Sequence, residues 1–235
     1  MSGSERKFYV VGMNEQVRAM IVHKGGKLII KEDKLDEADA VVFTGGEDVT
    51  PFLYGEQKHP RTSFNYRRDM REINIYKRLK LHQVKIGICR GAQFLNVMNG
   101  GRLWQDVDNH GVTGGHPMRT RDGRIIQVTS THHQMMIPGE FCSIWGKANV
   151  ARRKENETDG ILSIKEEGRH EWDDVEVVDY YNTNTLCYQP HPEYRTGECC
   201  DYFWDCVDVV FKGAKIDKDK HDEAMSKVSA GKEAN

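Results

Sequence analysis

The chain has 235 residues, of which 38% are hydrophobic and 30% charged, a balance that supports a buried core and excludes a disordered chain. Thirty-four Lys and Arg against thirty-six Asp and Glu leave a formal charge of −2, so no overall field draws the chain onto nucleic acid or anionic lipid. No apolar run approaches the ~20 residues of a membrane span and no signal-peptide pattern follows Met1, so a cytoplasmic protein is expected. Its six cysteines, Cys89, Cys142, Cys187, Cys199, Cys200 and Cys206, form no C-x-x-C pair and read as reduced thiols.

In chain order, Phe8–Val11 reads as a strand, and Asn14 as the cap of a helix with Val17, Met20 and Ile21 at helical spacing, ended by Gly25-Gly26. Lys27–Lys31 and Ala38–Thr44 read as the next strands, the second almost continuously apolar, as suits burial on both faces. A polar loop over 47–67 leads to a helix over 69–81, predicted to set Met70, Ile73, Tyr76 and Leu79 along one side. Strand Val84–Ile88 then runs directly into a helix carrying Ala92, Leu95 and Met98, closed by Asn99-Gly100-Gly101. Such alternation predicts a parallel sheet covered by helices on both faces. Ile125–Thr129, Ile161–Lys165, Val175–Asp179 and Thr185–Gln189 are short alternating segments, predicted to add an antiparallel extension before a last helix with Tyr202, Phe203, Cys206 and Val210. Residues 212–235 are charged and poor in apolar side chains, and are expected to form a mobile tail or a solvated helix. The stretch 58–80 holds eight Lys or Arg against two acids and reads as a solvated helix face rather than a nucleic-acid patch.

The chemistry concentrates at two places. In Gly87-Ile88-Cys89-Arg90-Gly91 a cysteine sits between the end of a buried strand and the start of a helix. Free N–H groups and the positive end of the helix dipole stabilise a thiolate there, and flanking glycines permit the sharp turn of a nucleophile elbow. The competing reading is a cysteine that merely fills space. Late in the chain, Gln189-Pro190-His191-Pro192-Glu193 follows a strand. In an extended segment His191 and Glu193 would point to the same side, so that Glu193 could accept a hydrogen bond from one ring nitrogen while the other faces a thiol. Cysteine, histidine and an orienting acid reproduce triad logic, against the alternative that His191 is only a turn residue.

With these motifs the chain resembles the class I glutamine amidotransferase-like superfamily, and in particular its γ-glutamyl hydrolase branch, which includes the γ-glutamyl-GABA hydrolases. The resemblance covers most of residues 39–195, in six ordered blocks: Thr44–Glu56, Arg68–Glu72, Gly87–Gln93, Leu95–Val97, Gly100–Asp106 and Ser130–Gln134, ahead of the late His191-Pro192-Glu193. It departs from the family in a compressed first third and in Gln189-Pro190 before His191.

The resemblance implies a three-layer flavodoxin-like α/β sandwich over residues 1–211. It implies Cys89 as nucleophile, His191 as general base and then acid, and Glu193 as the residue orienting His191. By the same resemblance the main-chain N–H groups of Gly46 and Arg90 would form an oxyanion hole, and Gln93, His133 and Gln134 would hold the α-amino and α-carboxylate ends of a glutamyl group. The implied reaction is hydrolysis of a small-molecule γ-glutamyl amide through a thioester, with no cofactor. A glutaminase subunit that hands ammonia to a partner synthetase, and a non-catalytic binding protein on the same fold, are the alternatives. His110, His116, His132 and His133 invite a metal reading; their spacing matches no ligand motif and no third and fourth ligands stand beside them, so ordinary surface histidines and no metal are expected.

Overall fold

In a computed structural model, which describes residues 5–107, 110–148, 174–194 and 197–232, the chain alternates strands and helices through its first hundred residues. The elements are β1 (Lys7–Val10), α1 (Glu15–His23), β2 (Lys27–Ile29), β3 (Ala40–Phe43), α2 (Tyr66–Arg78), β4 (Val84–Ile88) and α3 (Arg90–Met98). There follow β5 (Arg102–Trp104), β6 (His116–Thr120), β7 (Ile125–Val128), β8 (Met135–Ile137), β9 (Ser143–Lys147), β10 (Val175–Tyr180), β11 (Thr185–Tyr188) and α4 (Glu198–Lys232). The expected strand over Ile161–Lys165 lies outside the described residues.

One sheet orders the strands β2-β1-β3-β4-β11-β10-β9-β6-β7, and β5 pairs with β8 in a separate ribbon. From β2 to β11 the neighbours are parallel, and from β11 to β7 they are antiparallel. The fold is thus α/β with a large mixed sheet, mostly parallel at its core. Thr185–Tyr188, expected in the antiparallel extension, is instead the fifth parallel strand: Leu186 lies opposite Ile86 of β4 and Tyr188 opposite Ile88. The change of direction falls between β11 and β10, one strand later than the sequence pattern places it. β5, β6, β8 and β9, three to five residues long, were not anticipated.

The parallel strands are apolar on both sides because each side chain set has its own layer to bury. Phe8, Val10, Val42 and Ile86 pack with Val17 and Ile21 of α1 and Phe203, Val207 and Val210 of α4. Their sequence neighbours Tyr9, Val41 and Phe43 pack on the other side with Ile73 and Ile75 of α2 and Ala92 and Leu95 of α3. Burying each such Val, Ile or Phe contributes about 1.5–3 kcal/mol before conformational entropy is set against it. α1 starts where expected, with Asn14 Oδ1 accepting from the Val17 N–H at 3.0 Å. α4 runs unbroken across residue 211. No helix among the described residues is long and apolar enough to cross a membrane.

α2 departs from the predicted stripe. Asn65 caps it, Met70 is exposed, and the buried residues are Asp69, Glu72, Ile73 and Ile75. Two carboxylates face inward because a buried arginine from α3 meets them, which no 3.6-residue hydrophobic count can detect.

Candidate active site

Parallel pairing of β4 with β11 explains how residues a hundred apart meet. With Ile88 opposite Tyr188, the chain leaves both strands at the same carboxyl edge, and residue 89 emerges beside residues 189–191. The Cys89 N–H donates to the Tyr188 carbonyl at 2.9 Å, and the Cys89 carbonyl accepts from the N–H groups of Ala92 and Gln93. Cys89 itself is forced to φ 52°, ψ −114°, outside the comfortable regions for a residue with a side chain. A Cβ on Gly91 would run into the Phe43 carbonyl, so only glycine lets the first turn of α3 approach β3 this closely. The sulfur is thereby held over the N-terminus of α3, with the residue 8% exposed.

His191 follows β11 in a turn, and its N–H donates to Thr129 Oγ1 at 2.6 Å. Its Nδ1 lies 2.7 Å from Glu193 Oε1, and its ring faces Cys89 closely enough for the two to interact electrostatically. Gly45 is packed against the pair: a Cβ there would stand 3.0 Å from His191 Cε1 and 3.7 Å from Cys89 Cβ. Burial lowers the His191 pKa, but hydrogen bonds and charge from Cys89 and Glu193 outweigh it and push the value up to about 10, which favours an imidazolium facing sulfur. Tyr194 stacks on the imidazole, with ring centroids 4.8 Å apart and planes 8° from parallel. The structure brings His191 and Glu193 together through a 3₁₀ turn over Pro192–Tyr194 and not through the extended segment that the sequence reading assumed.

Gly46 lies at φ 146° in the loop after β3, and Arg68 orders that loop. Arg68 Nη2 donates to the carbonyls of Thr44 and Gly45, each at 3.0 Å, while Nε donates to Glu72 Oε1 at 2.8 Å. A trans peptide whose carbonyl faces Arg68 must aim its N–H the other way, so the Gly46 N–H is directed away from the arginine. The side chain of Arg90, which the sequence reading did not use, is buried and bridges Asp69 and Glu72. Asp69 in turn accepts from the Thr50 N–H at 2.9 Å. Arg68 and Arg90 thus tie the Thr44–Thr50 loop, α2 and the start of α3 into one charged network, whose buried pairs would be costly to break singly.

Between these elements is a cavity of about 230 Å³ whose wall includes Gly46, Asp48, Arg61, Cys89, Gln93 and His133. That is below the ~300–1,000 Å³ of sites for drug-sized ligands and suits a group the size of one amino acid. His133 Nε2 lies 3.2 Å from Asp48 Oδ1, and that carboxylate raises the His133 pKa. Arg61 Nη1 donates to Asp106 Oδ1 at 3.1 Å. Gln134 also lines the cavity; its Nε2 donates to Thr62 Oγ1, and its buried Oε1 has no hydrogen-bonding partner. Gln93 Nε2 is committed to the Gln134 carbonyl and to Gln189 Oε1, both at 3.1 Å, so this amide braces the wall. Arg61, Arg68 and Asp48 carry charge into or behind the cavity; sequence reading gave them no role, because their partners come from distant elements.

The histidine-rich stretch divides. Only His133 carries a half-exposed side chain at the cavity; His110, His116 and His132 are buried and converge with Glu176 of β10. The expectation of surface histidines without further ligand-type neighbours is corrected: the fourth residue lies 44 positions beyond His132, where no spacing motif reaches.

Comparison with known proteins gives the same frame. The chain matches the peptidase C26 family over residues 6–193. It is 36% identical over 130 residues to the glutamine amidotransferase-like PB2B2.05 protein of Schizosaccharomyces pombe, covering 54% of this chain and 49% of that one. It is 42% identical over 71 residues to the glutamine amidotransferase-like protein YvdE of Lactococcus lactis subsp. lactis, 29% of this chain and 30% of that one. The chain therefore spans less than half the length of these curated relatives. Its fold is similar to that of a glutamine amidotransferase from Thermotoga maritima, with TM-score 0.54 and 15% identity over 91% of this chain and 93% of the other. The match over residues 6–193, which encloses β1 through Glu193, makes this chain a member of the peptidase C26 family with a class I glutamine amidotransferase-like fold.

Proposed function

We propose that the protein is a cysteine-dependent hydrolase of γ-glutamyl amides. The observation that carries the reading is the Cys89–His191–Glu193 array: a strained cysteine at a helix N-terminus beside an imidazole whose Nδ1 lies 2.7 Å from a buried carboxylate. In this reading the Cys89 sulfur attacks the side-chain carbonyl of the glutamyl group. A C–S bond forms and the carbonyl electron pair moves onto oxygen, where the N–H groups of Gly46 and Arg90 receive it. Collapse breaks the C–N bond, and the amine leaves with a proton from the His191 imidazolium. Water, losing a proton to His191, then attacks the thioester and releases glutamate, returning the sulfur to its starting state. Arg61 and His133 suit the α-carboxylate, and Asp48 with the unpartnered Gln134 Oε1 suits the α-ammonium.

A second cavity of about 410 Å³ shares Thr131 with the first and runs along Val112, Val128 and Tyr194, the residue stacked on His191. Lined in part by Tyr194, which stacks on the proposed proton donor, it suits an apolar leaving amine. The protein is therefore expected to release glutamate from at least one γ-glutamyl amine faster than from glutamine with no second protein added. The measurement is glutamate release across a panel of γ-glutamyl amines and glutamine. Inertness toward the whole panel, with glutaminase activity appearing when a synthetase is added, would favour the glutaminase-subunit alternative.

Gly46→Ala tests the proposed oxyanion donor. The new methyl would collide with Arg68 Nη1 at a backbone angle that disfavours a Cβ, so the 45–46 peptide must turn. The expected result is a kcat lower by about 10²–10³-fold with KM little changed. A kcat within threefold of the parent would remove Gly46 from the mechanism.

A further inference from the structure

Behind the cavity, whose wall shares His132 with them, four side chains with metal-binding chemistry face one another in the interior. His110 comes from the loop before β6, His116 from β6, His132 from the loop between β7 and β8, and Glu176 from β10. All four are buried, none more than 4% exposed. Glu176 Oε1 lies 3.1 Å from His110 Nδ1, 3.5 Å from His116 Nε2 and 3.5 Å from His132 Nε2, and the four atoms all fall within 4.8 Å of one another. Yet none of these contacts has hydrogen-bond geometry, and each of the four atoms is without a hydrogen-bonding partner.

The outer nitrogens explain why. His132 Nδ1 lies 2.9 Å from the Gln134 carbonyl, His116 Nδ1 3.3 Å from the Pro117 carbonyl, and His110 Nε2 3.4 Å from Asp174 Oδ1. Each of these partners can only accept, so each outer nitrogen carries the proton. A neutral imidazole then presents a bare lone pair on its other nitrogen. Neutral, the three imidazoles direct three lone pairs and a carboxylate oxygen at one point, and these repel one another unless a cation lies between them; without a metal that cation is a proton, for against its burial His110 has its pKa pushed up to about 9 by Asp174 and Glu176. Imidazoles whose far N–H is anchored on a carbonyl or carboxylate are also the usual arrangement around a bound metal. A tetrahedral ion with bonds of ~2.0–2.1 Å separates its ligands by about 3.3 Å, close to the three distances from Glu176.

We propose that His110 Nδ1, His116 Nε2, His132 Nε2 and Glu176 Oε1 form a buried tetrahedral site for one divalent transition-metal ion, with zinc the preferred occupant. Three imidazoles and one carboxylate suit zinc, and four protein ligands in a closed site leave no open position, which marks a structural role. The ion would pin the loop that carries His133 and Gln134 to the central sheet. The Gln134 carbonyl that anchors His132 also accepts from Gln93 of α3, and the Glu176 carbonyl accepts from the Gln189 N–H at 2.8 Å, two residues before His191. The site therefore braces both walls of the candidate active site without joining its chemistry, and it stands whether or not the γ-glutamyl reading does.

Metal analysis of the full chain purified without chelator is expected to give about one equivalent of zinc. Chelator-stripped protein should take up one equivalent of Co²⁺ with the intense visible bands of tetrahedral cobalt. Zinc added to stripped protein should raise Tm by roughly 5 °C or more. Glu176→Gln and His132→Ala should each retain less than a tenth of the metal, whereas His133→Ala should retain all of it. Should these variants not fold, the wild-type cobalt spectrum decides. Protein that is metal-free as purified, takes up no cobalt and shows no change in Tm with zinc overturns the proposal. So does metal held equally well by Glu176→Gln and His132→Ala, or cobalt bands of octahedral intensity.

Discussion

Cys89→Ser is expected to lower kcat by about 10⁴-fold or more while leaving the thermal unfolding transition within a few degrees of the parent. A hydroxyl is a far poorer nucleophile at neutral pH and has nearly the same volume, so the N-terminus of α3 keeps its packing against Phe43 and Tyr188. The same residue should be the first that iodoacetamide labels. Cys187, Cys199 and Cys206 are buried in the core, and burial pushes the thiols of Cys187, Cys206 and Cys142 upward, that of Cys206 to about 12. Peptide mapping after brief labelling and steady-state rates of the variant check both parts. Retention of most activity by Cys89→Ser, or faster labelling at Cys200, would show that another group is the nucleophile.

His191→Asn should lower kcat by about 10⁴-fold, and Glu193→Gln by a smaller factor of about 10–10³. In the proposed mechanism asparagine removes the group that takes and returns the proton. Glutamine keeps a hydrogen-bonding side chain beside Nδ1 and sacrifices only the charge that stabilises the imidazolium and part of its orientation. The array gives Glu193 a companion in this task, since Tyr194 stacked on the ring and Thr129 on the His191 N–H also fix the imidazole. For that reason the carboxylate variant is expected to retain measurable turnover. Near wild-type rates in both variants would dissolve the triad; a larger loss in Glu193→Gln than in His191→Asn would mean that the two roles are assigned the wrong way round.

Local and periodic features were legible in the chain alone. The apolar runs at Phe8–Val11, Ala38–Thr44 and Val84–Ile88, the Asn14 cap and the glycine-flanked turn at Cys89 are all dictated by neighbours within a few residues, through hydrophobic burial, capping and backbone sterics. They were enough to predict an α/β sheet with a sharp strand-to-helix turn at Cys89. Tertiary structure decided whatever depends on partners far apart in sequence. It decided that Thr185–Tyr188 lies parallel to β4, since strand direction depends on which edge is free and not on the strand's own composition. It also turned Asp69 and Glu72 inward, because the stabilisation comes from Arg90 and is invisible to any count of apolar residues on α2. In the same way it gathered His110, His116 and His132 around Glu176: a ligand set drawn from two loops and two strands has no characteristic spacing, and only the packing of β6 and β10 into one sheet brings its atoms within a few ångströms.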